Sequence, residues 1–334
     1  MHSNRLMNKI AAAAVMTGIV FSLTGCPAQP PKQPDAPEST QTSKAPEETT
    51  TTAPLDIDED LSKYDLKDGD SLEEIVSKME NKYGIDIVYG NDIRTEFKDE
   101  SETITVKPNT NLEDIRKALL AIDEVLNALP KGFLKQLPYG KHDILKIYLT
   151  GPITINGVPN SGSPAFTNDT DDELFLTLEV IEDGIINVPT VLHEISHIVD
   201  FKLHYDGLMK EDEWSKLNPE GFTYDNSYGE NITGGNDPKY CYTTHHYVGR
   251  NTGNPDDDIW FYYCYSKVNA YEDRATMLEN LVIYKMWNYE VAEGLYNCPH
   301  MKAKVEYYLK LIEKDFKMTQ SDRDAWANAY KAIS

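Results

Sequence analysis

Along the chain, regular spacing of apolar and polar positions begins near residue 70. S-L-E-E at 71–74 is a capping box, Ser71 facing Glu74, and predicts a helix through about Lys82. I-D-I-V-Y (85–89) and T-I-T-V (103–106) read as strands. Asn111 is placed to cap a second helix, in which Leu112, Ile115, Leu119, Ile122 and Leu126 fall at helical spacing. I-L-K-I-Y-L-T (144–150) and L-F-L-T-L-E-V-I (174–181) are further strands. Pro189 opens the next helix, because proline suits a first helical turn. Helices return at about 270–289 and 301–316, with another near the end. Strands precede helices without strict alternation, so the expected class is α+β. The stretch 205–262 is irregular, rich in Gly, Asn, Asp, Pro and Tyr, and a loop region of that length is usually functional.

The first 55 residues obey a different pattern. A basic start (Arg5, Lys9) precedes the 14-residue apolar run I-A-A-A-A-V-M-T-G-I-V-F-S-L, which is short for a membrane span and fits an export signal. L-T-G-C (23–26) looks like a bacterial lipobox, which implies that residues 1–25 are removed and Cys26 is acylated. Two or more acyl chains give stable anchoring in a lipid bilayer, where one would not. Residues 26–55 hold proline, threonine and glutamate with almost no large apolar side chain, and read as a disordered tether. The folded domain is expected over 56–334, held at the bacterial cell membrane and facing away from the cytoplasm.

Charge narrows the partners. The net charge is −23, and residues 1–55 balance four basic against four acidic side chains, so the whole excess falls on 56–334. Such a surface repels phosphate backbones, and no nucleic-acid partner is expected. Beyond Cys26 there are Cys241, Cys264 and Cys298, whose spacing matches no zinc cluster and leaves any disulfide pairing open.

Candidate chemistry centres on T-V-L-H-E-I-S-H-I-V-D-F (190–201). Residues four apart share one helix face, about 6 Å apart along the axis. His193 and His197 can therefore converge on one ion, with Glu194 beside it as a base for water. Two imidazoles with a carboxylate suit zinc. A catalytic zinc needs a third protein ligand and one open position. The metzincin frame fails, since Asp200 and Leu203 stand where its glycine and third histidine belong. Two candidates for the third ligand stand open. Asp225 lies in T-Y-D-N-S-Y-G, which resembles the T-x-D-x-x-Y-G segment of aspzincins, although Phe222 replaces the glycine expected before it. Glu272 lies on the helix that begins near 270.

The run 189–281 resembles gluzincin zinc metallopeptidases of the lethal-factor and Pro-Pro-endopeptidase type. It is most similar to bacterial lipoproteins grouped as zinc-binding metallopeptidases. The matching segments are H-E-I-S-H-I-V-D, W-S-K-L-N-P-E-G-F-T-Y (214–224), the pair Tyr265–Ser266, and E-D-R-A (272–275). That resemblance implies a zincin-like domain with a mixed sheet and a second, glutamate-bearing helix. It implies His193, His197 and Glu272 as zinc ligands, Glu194 as general base, and Tyr265 as stabiliser of the oxyanion. It also makes the Asp225 segment a loop. Related gluzincins often carry an acid four residues after the ligand glutamate to orient a zinc histidine; Thr276 stands there, leaving Glu279 or Asp200 to substitute. Tyr265 has a plainer reading as aromatic packing, since four of residues 261–271 are tyrosine.

The expected activity is hydrolysis of a peptide or protein substrate by zinc-activated water. Zincins usually bind substrate along an edge strand before the active helix, and 173–181 is the candidate edge. Two rival readings are a lipid-anchored binding or adhesion protein with a structural zinc, and a zinc hydrolase acting on cell-wall peptides. Glu194 argues against the first, because a structural site needs no base.

Overall fold

The computed structural model describes residues 59–98, 103–159, 165–169, 173–225, 239–243, 255–287 and 298–332. The expected signal segment, Cys26 and the tether lie outside them. Helices and a mixed sheet make up the described chain, in keeping with the α+β class. Among the described residues no helix is long and apolar enough to cross a membrane.

The chain enters through α1 (Leu72–Tyr83), whose capping box is formed as expected: the Ser71 hydroxyl accepts from the Glu74 N–H, and the Glu74 carboxylate from the Ser71 N–H. Strands β1 (Ile85–Tyr89), β2 (Glu96–Lys98) and β3 (Thr103–Pro108) follow, then α2 (Leu112–Leu126), capped by Asn111. The stripe of α2 faces the core through Ile115, Leu119, Ile122 and Leu126, whereas Leu112, in the first turn, is exposed.

Strand β4 (Leu145–Ile155) is the spine of the sheet. It runs five residues past the predicted end, and the extra length carries a second neighbour: Leu145–Leu149 pair with β1 in parallel, and Thr150–Ile155 pair with β3 antiparallel on the same side. A two-residue β5 (Val158–Pro159) returns along its tip. On the other side lies β7 (Leu174–Glu179), parallel to β4, and beyond it β6 (Ala165–Asp169), antiparallel to β7. The segment 173–181 is thus interior rather than an edge, and β6 is the outer strand. The continuous run Leu174–Leu178 fits that position, since a strand covered on both faces needs no alternation.

Period-two alternation divides the two faces. Leu145, Ile147 and Leu149 of β4 and Leu174, Leu176 and Leu178 of β7 join the core beneath the helices. The opposite face carries a smaller cluster in which Phe97 stacks on Phe175 at 4.8 Å and Tyr148 meets both edge-on.

From β7 a tight turn leads into α3 (Val188–Tyr205). Gly184 in this turn has φ 72° and lies against α2, so close that a Cβ would come within 2.6 Å of the Asp114 carbonyl oxygen. The cap of α3 is Asn187, whose side chain accepts from the Thr190 N–H at 3.3 Å, and Pro189 sits in the first turn. Within the described part of 205–262 and just beyond it, α4 (Glu211–Ser215), β8 (Cys241–Thr243) and β9 (Phe261–Tyr263) form, the strands pairing in parallel. Cys241, Cys264 and Cys298 are buried thiols. Helix α5 (Ala270–Trp287) then packs along α3, with α6 (Pro299–Asp315) against both and α7 (Gln320–Ala332) against α5.

Candidate metal centre

The seam between α3 and α5 holds the candidate chemistry. His193 and His197 lie one turn apart on α3, with ring centroids 4.7 Å apart and planes at 86°. Glu272, in the first turn of α5, projects between them. Its Oε2 lies 2.8 Å from His193 Nε2 and 3.6 Å from His197 Nε2. All three side chains are buried, and their ligand atoms fall within 4.8 Å of one another.

This arrangement fits a cation. Glu279, two turns along α5, puts Oε2 3.0 Å from His193 Nδ1. With the proton on Nδ1, where it can be donated to Glu279, His193 Nε2 presents a lone pair to a carboxylate oxygen 2.8 Å away. Two acceptors at that separation need a proton or a metal ion to join them. Both nitrogens of His197 and Oε1 of Glu272 are buried without a hydrogen-bond partner among the described residues. Buried polar atoms are normally satisfied, so these three are explained most simply as groups turned toward an ion. Without an ion, the same carboxylates favour a proton on His193. Burial alone would lower the His193 pKa, but Glu272 and Glu279 raise it well above its ordinary value. Burial alone would raise that of Glu272, but His197 and His193 hold it well below the usual carboxylate range. Two carboxylates around one imidazole pair make a pocket of net negative charge. A buried His193–His197–Glu272 group can hold a metal ion.

The other expected residues take distinct places. Glu194 is buried on α3 beside the two histidines. Tyr265, in a short 3₁₀ turn ahead of α5, is buried with its ring centroid 6.4 Å from that of His193. The neighbouring Ser266 hydroxyl meets Thr276 Oγ1 at 2.9 Å, so Thr276 ties the Tyr265 turn to α5 instead of orienting a histidine. Asp200 does not face His193 or His197. Its Oδ2 accepts a hydrogen bond from Arg274 Nη2 at 2.8 Å, and its Oδ1 stands 2.8 Å from Arg274 Nε as an ion-pair contact. Asp225 is exposed and stands outside the group, its backbone N–H donating to the Lys267 carbonyl.

Sequence reasoning missed what the second segment of the resemblance does. In W-S-K-L-N-P-E-G-F-T-Y, Trp214 Nε1 and Asn218 Nδ2 both donate to the Tyr224 hydroxyl oxygen, at 3.0 and 2.9 Å. That hydroxyl donates to Asp273 Oδ2 at 2.8 Å, which also takes Lys304 Nζ of α6 at 2.7 Å. The available signal was the pairing of this segment with the Asp of E-D-R-A.

No protein-family model, curated protein or solved structure matches the chain.

Proposed function

We propose that this protein is a zinc-dependent peptidase, with His193, His197 and Glu272 as metal ligands and Glu194 as general base. The observation that carries the reading is the convergence of two imidazoles from α3 and one carboxylate from α5, with ring nitrogens and a carboxylate oxygen left for an ion. Three nitrogen and oxygen ligands of this kind, with a fourth position open, suit catalytic zinc. When bound, zinc supplies Lewis acidity, which lowers the pKa of water and polarises a carbonyl. Glu194 is the proton carrier: adjacent to His193 on the helix, it takes a proton from the attacking water and returns it to the leaving amine. The Tyr265 hydroxyl serves as a donor to the oxygen that gains charge during attack, worth most when it meets that charge alone. His193 is oriented by Glu279, which keeps Nε2 toward the ion.

The test separates base from ligand. In the full-length chain purified in detergent, Glu194→Gln retains about one zinc per chain and loses nearly all hydrolysis of a peptide library, because a ligand set is kept and a base is removed. Full activity in that variant overturns the mechanism. Zinc in the wild type without hydrolysis of any library peptide would favour a structural metal.

A further inference from the structure

Glu272, Asp273 and Arg274 are consecutive, and none exposes any surface. They leave α5 in three directions. Glu272 meets the imidazoles of α3, and Asp273 turns to Lys304 of α6 and the Tyr224 hydroxyl. Arg274 returns to α3 at Asp200, one turn beyond His197. It also reaches Glu211 Oε1 of α4 at 2.8 Å, and its guanidinium lies over the rings of Trp214 and Tyr271.

The Asp200–Arg274 pair therefore spans the same two helices as the candidate metal ligands, a turn further along. It has the one geometry that sets orientation as well as distance. One edge of the planar guanidinium faces both carboxylate oxygens, Nη2 donating to Oδ2 and Nε 2.8 Å from Oδ1, and so constrains rotation as well as distance, which the point charge of a lysine cannot do. Stability is a weak reason for such a pair. Charges buried this completely lose hydration that their attraction scarcely repays. The neighbouring Asp273–Lys304 pair supplies the comparison, since it is equally buried and springs from the same turn, yet runs to a helix that carries no ligand.

We propose that Arg274 is a positioning residue, whose two close contacts with the Asp200 carboxylate set α5 against α3 so that Glu272 reaches both histidines. The proposal rests on the reading of His193, His197 and Glu272 as a metal site. Arg274 acts through the helix and touches neither metal nor substrate.

Metal affinity distinguishes this role from a merely structural one. Zinc is titrated against a chromophoric chelator into the full chain in detergent, for wild type, Arg274→Lys, Asp200→Asn and Asp273→Asn. The thermal midpoint of each metal-free protein is measured alongside. Arg274→Lys keeps the charge and loses the fork; Asp200→Asn keeps the shape and loses one acceptor. Both should bind zinc roughly ten- to a hundred-fold more weakly, the range expected when a group that orients a metal ligand is removed. Asp273→Asn should lower the metal-free midpoint while leaving zinc affinity within about twofold of wild type, well short of that range. If Arg274→Lys fails to fold, Asp200→Asn decides alone. Wild-type affinity in the Asp200 and Arg274 variants, or an equal loss in Asp273→Asn, overturns the proposal. A wild type that binds no zinc instead removes the proposed function, and this inference with it.

Discussion

His193 stands between two carboxylates, and each has a separable consequence. Glu272 faces Nε2 and is the proposed third ligand; Glu279 faces Nδ1, where the proposal has it hold the ring. Glu272→Ala should purify largely without zinc and without activity, because two imidazoles alone hold the ion weakly. Glu279→Ala should keep the ligands and weaken zinc binding by roughly ten- to a hundred-fold. Asp225→Ala should retain its zinc, since Asp225 is exposed and outside the group. Metal analysis of the dialysed variants checks all three, and an Asp225 variant empty beside a loaded Glu272 variant would reverse the assignment. At this scale, legibility followed sequence distance. His193, Glu194 and His197 declare their geometry within one helix turn. Glu272 lies 79 residues from His193; position on a second helix made it a candidate, and only the resemblance favoured it over Asp225. The partner of Asp200 was not legible, because Arg274 is 74 residues away and no local pattern says which carboxylate a buried arginine will choose.

Among the elements, α3 is the one whose placement matters most, and its approach is set by the turn before it. Gly184 combines a positive φ with a close backbone approach to α2. Gly184→Ala should lower stability by about 1–3 kcal/mol, the usual cost of overpacking, with the strain of a left-handed backbone added. A urea titration that leaves the midpoint unchanged would refute this. Helix α4 is joined to α3 and α5 by Glu211, which contacts His204 and Arg274. Partial burial raises the Glu211 pKa, but His204 and Arg274 more than offset this and hold it at about 2. A depressed carboxylate adds stability that is present above its unfolded value of 4.5 and is lost as pH falls toward 2. Between pH 5 and pH 3, the thermal midpoint of the metal-free wild type should therefore fall further than that of Glu211→Gln. Glu211 is about half exposed, so solvent screens the effect and keeps it modest. The helices were the legible elements, since their stripes and caps repeat over many residues. The β6 strand was not. Five residues, A-F-T-N-D, carry too little apolar pattern to register, and missing it made β7 look like an edge.

For the molecule as a whole, the strongest expectation concerns attachment. The lipobox-like L-T-G-C and the Pro/Thr/Glu-rich stretch after it support a reading in which the domain hangs from the bilayer on an acylated Cys26. Cys26→Ser should move the protein from the membrane fraction to the soluble one, and a variant that stays bound would require another anchor. The α+β class was legible from the order of predicted strands and helices. The layering was not, because one strand, β4, serves two neighbours end to end, and the pattern of a single strand does not reveal that.

The crowding of charge on α5 also bears on how the chain folds. Glu272, Asp273, Arg274 and Glu279 are all withdrawn from water, and their partners arrive from α3, α4, the Tyr224 loop and α6, between 31 and 86 residues away in sequence. Docking this helix onto an unfinished assembly would strand a carboxylate or a guanidinium in an apolar seam, at a cost of several kcal/mol per ion. Partly assembled forms of this region are therefore poorly populated. The expectation is that the seam closes late and cooperatively, after the slow search that such long-range contacts require. Opening it would give up all of those pairings together, so this half of the protein is expected to unfold slowly, which an unfolding-rate measurement in denaturant checks.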